Sequence, residues 1–96
     1  MLWFSWDEPK AQANLAKHGV SFEEAQTAFA DPLGWIYPDP LHSAEERREI
    51  LIAESGRGRL LLVCFSEVPG GSVRIISSRE PTKNERRKYE AERHGR

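Results

Sequence analysis

Ninety-six residues, 39% hydrophobic and 30% charged with three Trp and four Phe, lead to the expectation of one globular domain spanning 1–96 with a modest core. A single cysteine excludes an internal disulfide, no apolar run nears the ~20 residues that span a bilayer, and the N-terminal stretch shows no signal-peptide pattern, so a cytoplasmic protein without a membrane contact is expected. The net charge of −1 hides an asymmetry: from Arg74 onward there are eight basic and four acidic residues, so the last third is cationic and points to a local anionic contact or to a solvated helix.

Leu2 to Trp6 reads as a short first strand. A helix follows over about 7–18. Asp7 is suited to cap it, and Gly19 to end it in the left-handed conformation. Ala11, Leu15 and His18 form its apolar stripe, and His18 is suited to complement the helix dipole. Lys10, Asn14 and Lys17 share another face, which helix formation alone does not require. Ser21 caps a second helix over about 22–30, with Glu24 three residues on completing a capping box and Asp31-Pro32 stopping it. Phe22, Ala25 and Phe29 face its core.

Gly34 to Tyr37 is a strand broken by Pro38-Asp39-Pro40, and a polar loop runs on to Arg47. Three strands then follow over about 49–54, 60–65 and 73–78. Short turns at Gly56-Arg57-Gly58 and Val68-Pro69-Gly70-Gly71 make neighbours antiparallel. The unbroken apolar run Leu60 to Phe65 is the pattern of a strand covered on both faces, with Cys64 as a small buried side chain in it. Thr82 and Glu85 form a second capping box opening a last helix over about 83–93, whose non-polar positions are Tyr89 and Ala91. The order β-α-α-β-β-β-β-α predicts an α+β fold, helices flanking a small antiparallel sheet.

Three places carry candidate chemistry. The loop holding His42, Glu46 and Arg48 combines an imidazole, a carboxylate and a guanidinium. It admits proton transfer through His42 and Glu46, or a mere Glu46–Arg48 pin. In the last strand, strict alternation places Arg74, Ile76 and Ser78 on one face and Val73, Ile75, Ser77 and Arg79 on the other. A lone arginine among apolar residues reaches either a carboxylate such as Glu46 or Glu49, or a phosphate. Tyr89 among Lys83, Arg86 and Arg93 either stacks a base or anchors a polar helix on the sheet. Neither the histidine spacing nor the lone cysteine forms a metal-ligand pattern, and no Gly-rich loop precedes a helix, so neither a metal nor a cofactor is expected.

Three blocks stand out along the chain: Trp6-Asp7-Glu8, Lys10, Asn14 and Lys17 to Ala25; Asp39-Pro40, His42-Ser43, Glu46 and Arg48; and Arg74 to Arg79 with Thr82, Glu85-Arg86 and Tyr89. Together they resemble the BrnT family of bacterial type II toxins. The resemblance implies a RelE-like fold and a ribonuclease that cuts RNA without a metal and blocks translation. It implies a BrnA-like antitoxin with a ribbon-helix-helix part, through which operator DNA is bound. On that basis Arg74 and Arg79 are expected to stabilise phosphate and His42 or Glu46 to move protons. Lys17, Arg48, Lys83, Arg86 and Tyr89 are expected to hold RNA. The alternatives are an inactive relative that serves as the antitoxin's co-repressor, and a non-catalytic RNA-binding module.

Overall fold

The computed structural model describes residues 3–40 and 47–94, the side chains of 93 and 94 excepted. Its elements follow the expected order. They are β1 (Trp3–Ser5), α1 (Glu8–His18), α2 (Phe22–Thr27) running into one 3₁₀ turn (Ala28–Ala30), β2 (Trp35–Pro38), β3 (Arg48–Glu54), β4 (Leu60–Val68), β5 (Ser72–Arg79) and α3 (Lys83–His94). No described helix is long and apolar enough to cross a membrane.

The caps work largely as their residue types dictate. The Asp7 carboxylate accepts from Lys10 N–H, and Gly19 ends α1 at φ 70°, its N–H bonded to the Leu15 carbonyl. Ser21 accepts from Glu24 N–H at 3.0 Å, but the box is left half closed. Arg59 takes the Glu24 carboxylate instead, through Nε (2.8 Å) and Nη2 (2.6 Å), with Ser55 Oγ adding a third donor at 2.8 Å. The Glu24 side chain is 3% exposed, and Arg59 also donates to the Gly19 carbonyl, so one ion pair ties both helix ends to the β3–β4 turn. Hydrogen bonding from Arg59 holds the Glu24 carboxyl below its ordinary range against the opposing effect of burial.

The sheet order is β1-β5-β4-β3-β2. The four later strands pair antiparallel, as the short turns require. β1 departs from the expected antiparallel sheet by pairing parallel to β5 at the edge, so the sheet is mixed. Helices α1 and α2 cover one face, where Val20, Phe22, Ala25, Leu51, Leu61, Val63, Phe65 and Ile75 form the main core. β4 is buried on both faces from Leu60 to Ser66, as its apolar run predicted. Leu15 is 49% exposed and lies outside the core. The residue α1 buries beside Ala11 is Asn14, whose carboxamide donates to the carbonyls of Val20 (2.9 Å) and Ser78 (2.8 Å) and accepts from Ser78 N–H (3.1 Å). The three-residue β1 pairs β5 only over Ser72–Arg74, and farther along that edge the side-chain amide stands in for a backbone peptide.

Candidate functional site

Among the described residues, α3 covers the second face of the sheet at the end that holds Leu60 and Leu62; farther along, Cys64 and Ser66 are buried and Arg74 is exposed. Tyr89, 3% exposed, is the apolar anchor of α3. It packs with Ile52, Leu60 and Leu62, and its hydroxyl points to the Leu33 carbonyl at 3.5 Å. The helix-docking reading of Tyr89 therefore holds, and the expected base-stacking role is corrected: a buried ring offers no face to RNA.

A bulge decides which residues share this face. In the β4–β5 ladder Cys64 lies opposite Ser77, but Phe65 lies opposite Ile75, so Ile76 is the extra residue. Alternation reverses there. Arg74 lies opposite Ser66 and Arg79 opposite Leu62, and Ser66 and Leu62 are four apart on the unbulged strand. Both arginines thus lie on the α3 face, not on opposite faces as strict alternation placed them. Ser78 has moved to the helix-covered face, buried opposite Val63.

The face is organised in cross-strand rows. Arg48, Ser66 and Arg74 lie side by side on β3, β4 and β5. At about 4.8 Å per strand, the two arginine Cα atoms are roughly 10 Å apart. The next row is Tyr37, Ile50, Cys64 and Ser77, and the third is Trp35, Ile52, Leu62 and Arg79. Arg74 is exposed and forms no ion pair with a described residue: of the two carboxylates expected to reach it, Glu49 does not pair with it and Glu46 lies outside the described residues. Arg48 is half-buried and borders a cleft of about 360 Å³ with Pro38, Arg47, Glu49 and Glu67.

Arg79 is engaged differently. Its Nη1 and Nη2 donate to the two Glu85 oxygens at 2.7 and 2.9 Å. Glu85 also accepts from Thr82 N–H (2.8 Å) while Thr82 Oγ1 accepts from Glu85 N–H (3.1 Å), so this capping box is complete. Hydrogen bonding from Arg79 is the main reason the Glu85 carboxyl is held down to about 2. The same bond raises the Arg79 guanidinium further.

Sequence reasoning gave no role to two residues of this face. Tyr37 is half-buried, its ring 4.9 Å from that of Trp35. Burial pushes its phenol up, with the Glu85 and Asp39 charges adding to the rise and Arg79 opposing it. Asp39 is buried, and its carboxylate accepts from the Cys64 thiol at 3.8 Å. The period-two placement of Tyr37 beside Trp35 was available as a signal, but the convergence of Asp39 and Cys64 required the strand pairing.

The remaining expected residues are spread out. Lys83 and Arg86 are exposed on α3. Lys17 is exposed on α1, which covers the opposite face, so it stands apart from Arg48 and Arg74. His42 and Glu46 lie outside the described residues. Among those described, no three His, Cys, Asp or Glu side chains converge as a metal-ligand set.

An α+β domain with a mixed five-stranded sheet and three α-helices is the fold of a known ribonuclease toxin. The crystal structure of the Brucella abortus ribonuclease toxin, BrnT, matches with a TM-score of 0.65 and 27% identity, covering 86% of this chain and 99% of that one. No curated protein matches the sequence. The model of the family described as "Ribonuclease toxin, BrnT, of type II toxin-antitoxin system" matches residues 6–85, and the chain belongs to that family.

Proposed function

We propose that this chain is a metal-independent endoribonuclease of the RelE-like kind, acting in the cytoplasm to cut RNA and halt translation. The observation that supports the reading is the row Arg48–Ser66–Arg74, two cations about 10 Å apart across three strands, with Arg74 exposed to solvent. In the proposed reaction the substrate's 2′-oxygen attacks the adjacent phosphorus as a base removes its proton. The bond from phosphorus to the 5′-oxygen breaks, and an acid protonates that oxygen. The products are a 2′,3′-cyclic phosphate and a 5′-hydroxyl. Arg74 and Arg48 stabilise the charge that builds on the phosphoryl oxygens. His42 and Glu46, from the loop before β3, are the proposed proton carriers. Arg79 meets a phosphate only by sharing its guanidinium with Glu85. Lys83 and Arg86 extend the cationic surface along α3.

A BrnA-like antitoxin with a ribbon-helix-helix part is the proposed partner. It covers the arginine face and carries the operator contact. The neutralisation of Arg79 by Glu85 favours a second reading, an inactive relative kept as a co-repressor. The test is cleavage of labelled RNA by purified protein in excess chelator, with product ends identified by their susceptibility to phosphatase and kinase. Cyclic-phosphate ends, lost in Arg74→Ala and His42→Ala at normal folded yield, support the nuclease. Cleavage that chelator abolishes, or that both variants retain, refutes the proposed site. Antitoxin binding without any cleavage supports the co-repressor.

A further inference from the structure

Trp3 is 66% exposed, more than any other large hydrophobic side chain among the described residues. Its side chain belongs to neither core cluster of the described residues. Its neighbour Phe4 packs edge-on against Phe29 with centroids 5.1 Å apart, and Trp6 packs edge-on against Phe22 at 5.9 Å, so the ring packing at this edge comes from side chains other than that of Trp3. Among the described residues Trp3 makes no ring contact.

Its position is informative. In the β1–β5 register Trp3 lies opposite Ser72 and Ser5 opposite Arg74, so Trp3 and Arg74 occupy the same face one diagonal step apart. One inter-strand spacing combined with two residues of rise puts their Cα atoms about 8 Å apart, within reach of two long side chains. Arg74 is exposed and forms no ion pair with a described residue. An exposed indole beside an exposed guanidinium combines what a single-stranded nucleotide needs: a flat surface for the base and a cation for the phosphate.

We infer that Trp3 and Arg74 form a nucleotide subsite, with the indole stacking a base of single-stranded RNA next to the phosphate held by Arg74. The inference rests on the ribonuclease reading and adds to it where one flanking base sits. Stacking does not depend on base identity, so the subsite contributes affinity and register rather than a sequence preference.

The test uses the full chain and an unreactive 2′-O-methyl oligoribonucleotide, with affinity read by fluorescence anisotropy and indole emission followed in parallel. Trp3→Ala and Trp3→Leu are expected to weaken binding by about 5- to 150-fold, the span that loss of one stacked base covers. Trp3→Phe keeps most of the affinity but loses the part of the emission quench that wild type shows on binding. The exposed position predicts an unchanged melting temperature for all three. Equal affinity of wild type and Trp3→Ala overturns the inference while leaving the nuclease standing. So does Trp3→Leu binding as tightly as Trp3→Phe, which indicates a plain apolar contact, and so does a loss confined to antitoxin binding. Wild type that neither binds nor cleaves RNA overturns the ribonuclease reading together with the subsite.

Discussion

Replacing Asn14 by alanine tests how the edge of β5 is held. The carboxamide satisfies three buried backbone groups at once: the Val20 carbonyl and both the N–H and the carbonyl of Ser78. A buried group left without a partner costs roughly 1–3 kcal/mol. The Ser78 N–H bears the full penalty, and the two carbonyls bear less where water enters the space the amide leaves. The expected loss is therefore about 3–4 kcal/mol. At about 0.05–0.15 kcal/mol per residue, a domain of 96 residues has only about 5–14 kcal/mol in total. Urea titration by circular dichroism would report the loss as a lower midpoint with unchanged slope. A thermal scan would show a fall of at least 12 °C, at about 4–8 °C per kcal/mol. Asn14→Asp separates the two directions of bonding. It keeps an acceptor for the Ser78 N–H but sets a carboxylate against two carbonyls. At neutral pH it is expected to be no more stable than Asn14→Ala, and to recover partly as acid protonates it. Lys10→Ala and Lys17→Ala, exposed on the same helix, are the controls and should stay within about 0.5 kcal/mol of wild type. An Asn14→Ala loss below about 1 kcal/mol would refute the reasoning.

Other outcomes follow from the same contacts. Arg74→Ala is expected to lower RNA cleavage by about 10²–10³-fold, the usual cost of one transition-state donor, with no change in melting temperature because the side chain is exposed; a parallel loss of stability would mean a structural role. Tyr89→Ala removes the anchor of α3 from Ile52, Leu60 and Leu62, and should cost about 3–5 kcal/mol with loss of helical ellipticity. Because Glu85 is held down to about 2 from its ordinary 4.5, the Arg79–Glu85 pair stabilises the fold fully above the ordinary value. That contribution, about 1–2 kcal/mol once solvent screening is allowed for, drains away as pH falls towards 2. A pH series of denaturation midpoints should therefore be shallower over that range in Glu85→Gln, and identical slopes would count against the pair.

Local chemistry was legible in the sequence, and cross-strand geometry much less so. Asp7, Gly19, Ser21 and Thr82 announced their helix ends because capping needs only near neighbours. Leu60 to Phe65 announced a central strand by composition alone. Glu24 misled for the opposite reason: three residues of spacing predicted a closed capping box, and a guanidinium thirty-five residues away took the carboxylate. The parallel pairing of β1 with β5 was likewise out of reach, since no short turn joins strands so far apart in the chain. The candidate site was named mostly by residue type. Arg48, Arg74 and Arg79 do share a face, but period-two counting denied it for the two arginines of β5. Tyr89 carried the right helical position for either docking or stacking, and only its burial decides between them.

The extra residue at Ile76 also constrains how this strand can vary. Arg74 and Arg79 are five positions apart, an odd interval, and in a regular strand an odd interval separates side chains onto opposite faces. Their shared orientation is a matter of parity. Exchanging Ile76 for another side chain leaves the parity intact, whereas deleting it turns one arginine away from the other. What position 76 supplies is therefore a count more than an identity, and a gap there in a related sequence would signal a cationic face taken apart.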